Sequence, residues 1–122
     1  MTGPGFHVMT APDITAPDAD ARATCLRLVG ALDLDGVPQL RTALADCFAL
    51  RPDRVVLDLW NLRFCDCAGL NVMVEAKATA DRIAAELRVE GALAQVARLF
   101  ALTGVDEVFA DTLPRLPPRT VR

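Results

Sequence analysis

Apolar and polar residues alternate through Ala23-Thr24-Cys25-Leu26-Arg27-Leu28-Val29, which predicts a half-buried strand that ends in a bend at Gly30-Ala31-Leu32-Asp33. The period then changes. Val37, Leu40, Leu44, Cys47 and Phe48 recur at three- and four-residue intervals, as on one buried helix face, with Asp35 the expected N-cap and Arg51-Pro52 the stop. Val55 to Leu59 is almost continuously apolar, as in a central strand covered on both faces. Trp60 to Phe64 is expected to connect it to a second helix, capped by Asp66 and turning Leu70, Met73, Val74, Ala76, Ala80 and Ile83 inward. Leu87 to Glu90 predicts another strand, Leu93, Val96, Leu99 and Phe100 a third helix stopped by Gly104, and Val108-Phe109 a last short strand. At the start, Phe6 to Met9 reads as an edge strand and Ala11 to Ala21, rich in Pro, Asp and Ala, as a loop.

Strands followed by repeated helix and strand units predict an α/β fold: a mixed four- or five-stranded sheet, mostly parallel at its centre, with helices packed on it. The 122 residues suit one domain, expected over residues 1–112, followed by a proline- and arginine-rich tail at 113–122 that has too few apolar residues to pack as a helix. With 52% hydrophobic and 24% charged residues the chain is of the globular kind, and a net charge of -3 provides no basic field for nucleic acid or an anionic membrane. No segment approaches the roughly 18 apolar residues of a membrane span, and Met1 to Thr10 lacks the pattern of a secretory signal, so a cytoplasmic protein is expected.

The chemistry concentrates at Asp66-Cys67-Ala68-Gly69-Leu70, where a strand feeds a helix through an acidic cap and leaves backbone N–H groups unpaired. The first helical side chain there is a thiol. Serine is absent from the whole chain, so no neighbouring hydroxyl of that type can substitute for it. The four cysteines, Cys25, Cys47, Cys65 and Cys67, are expected to be free thiols, with Cys65 buried. Neither they nor His7, the single histidine, have metal-ligand spacing, and no metal or cofactor is expected. The chain has no dinucleotide fingerprint, no Walker A loop and no Gly-x-Ser-x-Gly elbow. A cysteine hydrolase would depend on His7 as its base, and no catalytic residue is expected.

At Gly30-Ala31-Leu32-Asp33, Val55-Val56-Leu57-Asp58-Leu59, Phe64-Cys65-Asp66-Cys67-Ala68-Gly69-Leu70 and Leu102-Thr103-Gly104-Val105, the chain resembles STAS domains of the bacterial anti-sigma factor antagonist family, from about Phe6 to Phe109. In that family a Gly-Glu-Leu-Asp segment closes the second strand, and an Asp-Ser-Ser-Gly-Leu segment at a helix N-terminus carries the serine that a partner kinase phosphorylates. The first of those serines falls on Cys67 and the second on Ala68. The resemblance implies a non-catalytic partner-switching protein that binds an anti-sigma factor of the serine kinase type, as a monomer or weak homodimer. Two departures stand out: the phosphoacceptor is replaced by a thiol, and the family's final helix by the proline-rich tail.

The resemblance implies a binding surface of Asp33, Asp66, Cys67, Ala68 and Gly69. Three of them also have a plainer role: Asp66 as an N-cap, Asp33 as a turn residue, Cys67 as a small residue where serine was lost. Cys67 also admits two functional readings, a permanent mimic of unphosphorylated serine or a thiol sensor, and the acidic neighbour Asp66 counts against the sensor. A side chain at Gly69 is expected to obstruct a partner, so that Gly69→Glu weakens association and leaves the fold intact. Trp60 and Phe64 are expected to pack in the core or a loop, and exposure would make either a contact residue. The alternative is a STAS subunit of a lipid-transport ABC system or of a stressosome-like scaffold, which would bury the same surface.

Overall fold

The apolar run Arg54–Asp58 (β3) lies between two parallel neighbours, and its Val55, Val56 and Leu57 are at most 2% exposed. A computed structural model describes residues 5–13 and 22–109. The expected tail at 113–122 and residues 14–21 of the expected loop lie outside them. The first strand, Phe6–Pro12 (β1), is longer than expected and runs through Ala11 and Pro12, antiparallel to Ala23–Leu32 (β2). A proline is tolerated there because β1 is an edge strand, where a missing N–H breaks no second ladder.

The expected bend at Gly30 is a bulge inside β2. Gly30 has φ +101° and its N–H donates to Asn61 O at 3.0 Å, while the pairing register shifts between Gly30 and Ala31. Beyond the bulge β2 pairs in parallel with Leu62–Cys65 (β4), a strand read from the sequence as connection. Its Arg63 and Phe64 are both exposed, so the segment has no two-residue alternation to give it away. Glu86–Glu90 (β5) pairs with β3 and completes a five-stranded mixed sheet of order β1-β2-β3-β5, with β4 beside β2.

Helix α1 (Val37–Ala49) buries the five residues its spacing indicates, Val37, Leu40, Leu44, Cys47 and Phe48. Asp35 is not its cap. A 3-10 turn over Leu34–Gly36 precedes the helix, and Asp33 caps that turn by accepting from Asp35 N at 3.0 Å. Helix α2 (Cys67–Arg82) turns Leu70, Met73, Ala76 and Ala80 into the core, with Ile83 just past its end packed against the core from the margin. Val72 replaces Val74 on the buried arc because α1 lies along α2, and Val72 and Ala76 face Leu44 and Phe48 across the groove between the helices. Helix α3 (Ala94–Thr103) packs Val96 and Phe100 against the same core and lies against β4.

Val108-Phe109 is not a strand. Gly104, at φ +78°, ends α3 in the left-handed conformation, and the chain re-enters a short helix α4, Val105–Val108. Val105 and Phe109 are one helical turn apart, and that spacing brings both to the core where a two-residue apolar run only suggested a strand. The Phe109 ring stacks on Phe100 with centroids 6.2 Å apart. Leu26, Leu28 and Leu32 of β2 face the helices and are fully buried. The alternate residues, Arg27 and Val29 among them, line the opposite face of the sheet, outside that core.

Candidate functional site

Two acidic turns meet where β2 and β4 end side by side. Leu32 and Cys65 are paired in register, and the N–H of Asp66 extends the ladder by donating to Leu32 O at 3.1 Å. Asp33 and Asp66 therefore each begin the turn that leaves one of two adjacent parallel strands. Both have extended backbone and both act as caps: Asp66 Oδ1 accepts from Gly69 N at 3.1 Å, as Asp33 Oδ1 does from Asp35 N. The 3-10 turn packs against α2, so the Asp33 turn and the α2 N-terminus form one surface. The structure brings together Asp33, Asp66, Cys67 and Ala68 as the sequence suggested.

Within that surface the five residues differ in access. Cys67 is exposed at the first position of α2, and Asp33, Asp66 and Ala68 are half-buried. Gly69 is buried, and this corrects the expectation that a side chain there would meet a partner. A Cβ at Gly69 would lie 2.7 Å from both Cγ and Cδ2 of Leu32 and 3.0 Å from Cys65 Sγ. Its missing side chain lets α2 approach β2, and Gly69→Glu would drive a carboxylate into the core rather than test the surface.

The four thiols are free, and their surroundings separate them. Burial, with the charge of Asp66 added, pushes the Cys65 thiol up to about 12. Its Sγ donates to Asp66 O at 3.4 Å. Burial raises Cys47 as well, and raises Cys25 with help from Asp58. Only Cys67 reaches solvent freely.

Leu34, between Asp33 and Asp35, is 70% exposed and joins the surface unforeseen. An apolar residue flanked by two acids ahead of a buried glycine was the available signal, since neither helical nor strand periodicity includes it. Trp60 and Phe64, expected to pack in the core or a loop, are 61% and 49% exposed. The Trp60 indole lies over Gly91, where a Cβ would come within 2.7 Å of the ring. The backbone N–H of Trp60 donates to Asp58 Oδ1 at 3.1 Å, fixing the turn that carries the ring out at the end of β3.

Among the described residues no group of His, Cys, Asp and Glu could hold a metal ion, and no helix is long and apolar enough to cross a membrane. His7 lies in β1 opposite Val29, on the sheet face away from the helices, whereas Cys67 starts α2.

The fold is that of several solved structures. An anti-sigma factor antagonist from Mycobacterium paratuberculosis superposes with a TM-score of 0.72 at 23% identity, over 92% of this chain and 88% of that one. The Bacillus anti-sigma factor antagonist SpoIIAA in its unphosphorylated form gives 0.68 at 15% identity, over 93% and 90%. The murine anion transporter Slc26a9 gives 0.65 at 14% identity, over 85% of this chain and 19% of that one. At such identities the likeness is one of fold. No curated protein matches the sequence significantly. A family model described as Mlab, STAS domain matches residues 15–115, and with five strands, three core helices and an Asp-capped α2 in place, the chain belongs to the STAS domain family.

Proposed function

We propose that this protein is a non-catalytic binding module of the anti-sigma factor antagonist kind, working in the cytoplasm as a single STAS domain over residues 1–112. The surface formed by Asp33, Leu34, Asp66, Cys67 and Ala68 docks an anti-sigma factor of the serine kinase type. One observation carries this reading: the exposed Cys67 side chain stands at the Asp66-capped N-terminus of α2, beside the Asp33 turn. In antagonists of this kind the corresponding serine is the switch, because a phosphate adds about -1.5 to -2 of charge at a surface the partner must cover. Cys67 fills that place without accepting phosphate from a serine kinase, so the proposed complex is constitutive.

A second reading is a STAS subunit of a lipid-transport ABC system or a stressosome-like scaffold. It is favoured by the description of the matching family model, which is not that of an antagonist. Gene neighbours supply the candidates for the test. Titration calorimetry of the full chain against a neighbouring histidine-kinase-like ATPase, and separately against a neighbouring transporter ATPase, decides between the two. Binding of the first, weakened by Cys67→Asp, supports the antagonist reading. Binding of the transporter ATPase alone replaces it with the second.

A further inference from the structure

The sheet face turned away from the helices divides into two halves of opposite character. Across β3 and β5 its charges are consumed in pairs: Arg88 with Glu86 at 3.2 Å and with Glu90 at 3.7 Å, and Arg27 of β2 with Asp58 at 3.3 Å. Across β1, β2 and β4 the face is an open cavity of about 590 Å³ floored by Met9, Val29, Ala31 and Phe64. Register explains the floor, since Met9 pairs with Arg27 on β2 and Phe64 with Ala31, bringing the three strands' outward residues side by side. Met9 and Phe64 are each 49% exposed.

The rim carries one unpaired cation. Arg63 lines the cavity with no ion-pair partner among the described residues, Arg27 lines it with its charge met by Asp58, and no acidic residue lines it. On a chain of net charge -3 the unpaired Arg63 is a local reversal of sign. A second copy docked groove to groove about a two-fold axis would put two unpaired Arg63 side chains into one contact with no groove carboxylate from either copy to meet them. The complementary occupant has apolar side chains to fill the floor and carboxylates to meet the rim.

We infer that this groove is a second protein-docking surface, separate from the Asp33–Cys67 surface, which takes an apolar segment of a partner flanked by aspartate or glutamate. The chain then bridges two partners, one on each surface, and this does not depend on what binds near Cys67.

The test uses the full chain and a random dodecapeptide library displayed on phage. Selected peptides should carry leucine, isoleucine or phenylalanine with an acidic residue within two positions. Their titration should move the amide resonances of Met9, Val29, Ala31 and Phe64 and leave those of Cys67 and Ala68 in place. Phe64→Ser, a change at an exposed position, should weaken binding at least tenfold. Arg63→Glu should do the same and turn the selection toward lysine- and arginine-bearing peptides. Cys67→Asp should leave peptide affinity unchanged, which separates this inference from the antagonist reading. Peptides without acidic residues, peptides that map to another surface, or sedimentation showing a dimer that Phe64→Ser dissociates would each overturn it, the last by making a second copy the occupant.

Discussion

Asp66 N–H donates to Leu32 O at 3.1 Å, so the last ladder bond between β2 and β4 is also the joint that holds the α2 cap beside the Asp33 turn. The surface is thus built on the sheet rather than on a loose loop. Its position follows the general tendency of α/β sheets to bind at the carboxyl ends of parallel strands, where turns leave neighbouring strands and expose backbone groups.

Removing the Asp66 side chain tests the cap directly. Asp66→Ala leaves the Gly69 N–H without its 3.1 Å acceptor and is expected to cost about 0.5–2 kcal/mol in urea unfolding. Asp66→Asn keeps an acceptor oxygen and should stay close to wild type. If Asp66→Asn nevertheless weakens partner binding, the carboxylate acts in recognition beyond its capping role.

Gly69 marks how closely α2 approaches β2. A methyl group there lies 2.7 Å from the Leu32 side chain, an overpacking that costs about 1–3 kcal/mol against a helix-propensity gain of about 1. Gly69→Ala is therefore expected to lose about 1 kcal/mol, and Leu32→Val combined with it should lose less than the sum of the two single changes. A Gly69→Ala protein as stable as wild type would show that the two elements part without cost.

Much of this architecture was legible because burial imposes periods. The α1 stripe from Val37 to Phe48 was read residue for residue, and Asp66 was recognised as the cap of α2 from its place between an apolar strand and a helical pattern. Legibility failed where tertiary contacts override local pattern. β4 pairs through its backbone while exposing Arg63 and Phe64, and Val72 is buried only because α1 happens to flank α2. The inward direction of Gly69 was also beyond the sequence, since it depends on Leu32, which lies in strand β2. The alternation through Ala23 to Val29 predicted a half-buried strand, but not that the charges on the sheet's outer face would pair on one half and leave an apolar groove on the other.

Alkaline solution should loosen the fold through Cys65. Burial holds its thiol up at about 12, whereas the unfolded chain titrates at the ordinary 9.0. Above about pH 9 the unfolded state therefore binds fewer protons than the folded one, and stability falls as pH rises toward 12. Cys25 and Cys47, raised in the same direction, add to the trend. The chain has no tyrosine and only Lys77 as a lysine, so few other groups titrate there. Urea midpoints between pH 8 and pH 11 should fall more steeply for wild type than for Cys65→Ala, and parallel curves would refute the burial argument.

Cys67 separates a constitutive binder from a switch, and its exposure makes it the thiol that reagents reach first. Limited alkylation of the folded chain should modify Cys67 ahead of Cys25, Cys47 and Cys65, as peptide mass mapping would show. Incubation with the cognate kinase and ATP should leave position 67 unmodified, while Cys67→Ser should be phosphorylated wherever the kinase-contact surface has been kept. Cys67→Asp should weaken the complex by about 1–3 kcal/mol, because a carboxylate is then buried against a partner surface fitted to a neutral side chain. Peroxide tests the sensor on the same sample. A constitutive mimic predicts equal affinity before and after mild oxidation, in wild type and in Cys67→Ala alike. Reversible loss of binding in wild type, absent from Cys67→Ala, would instead make the thiol itself a redox switch.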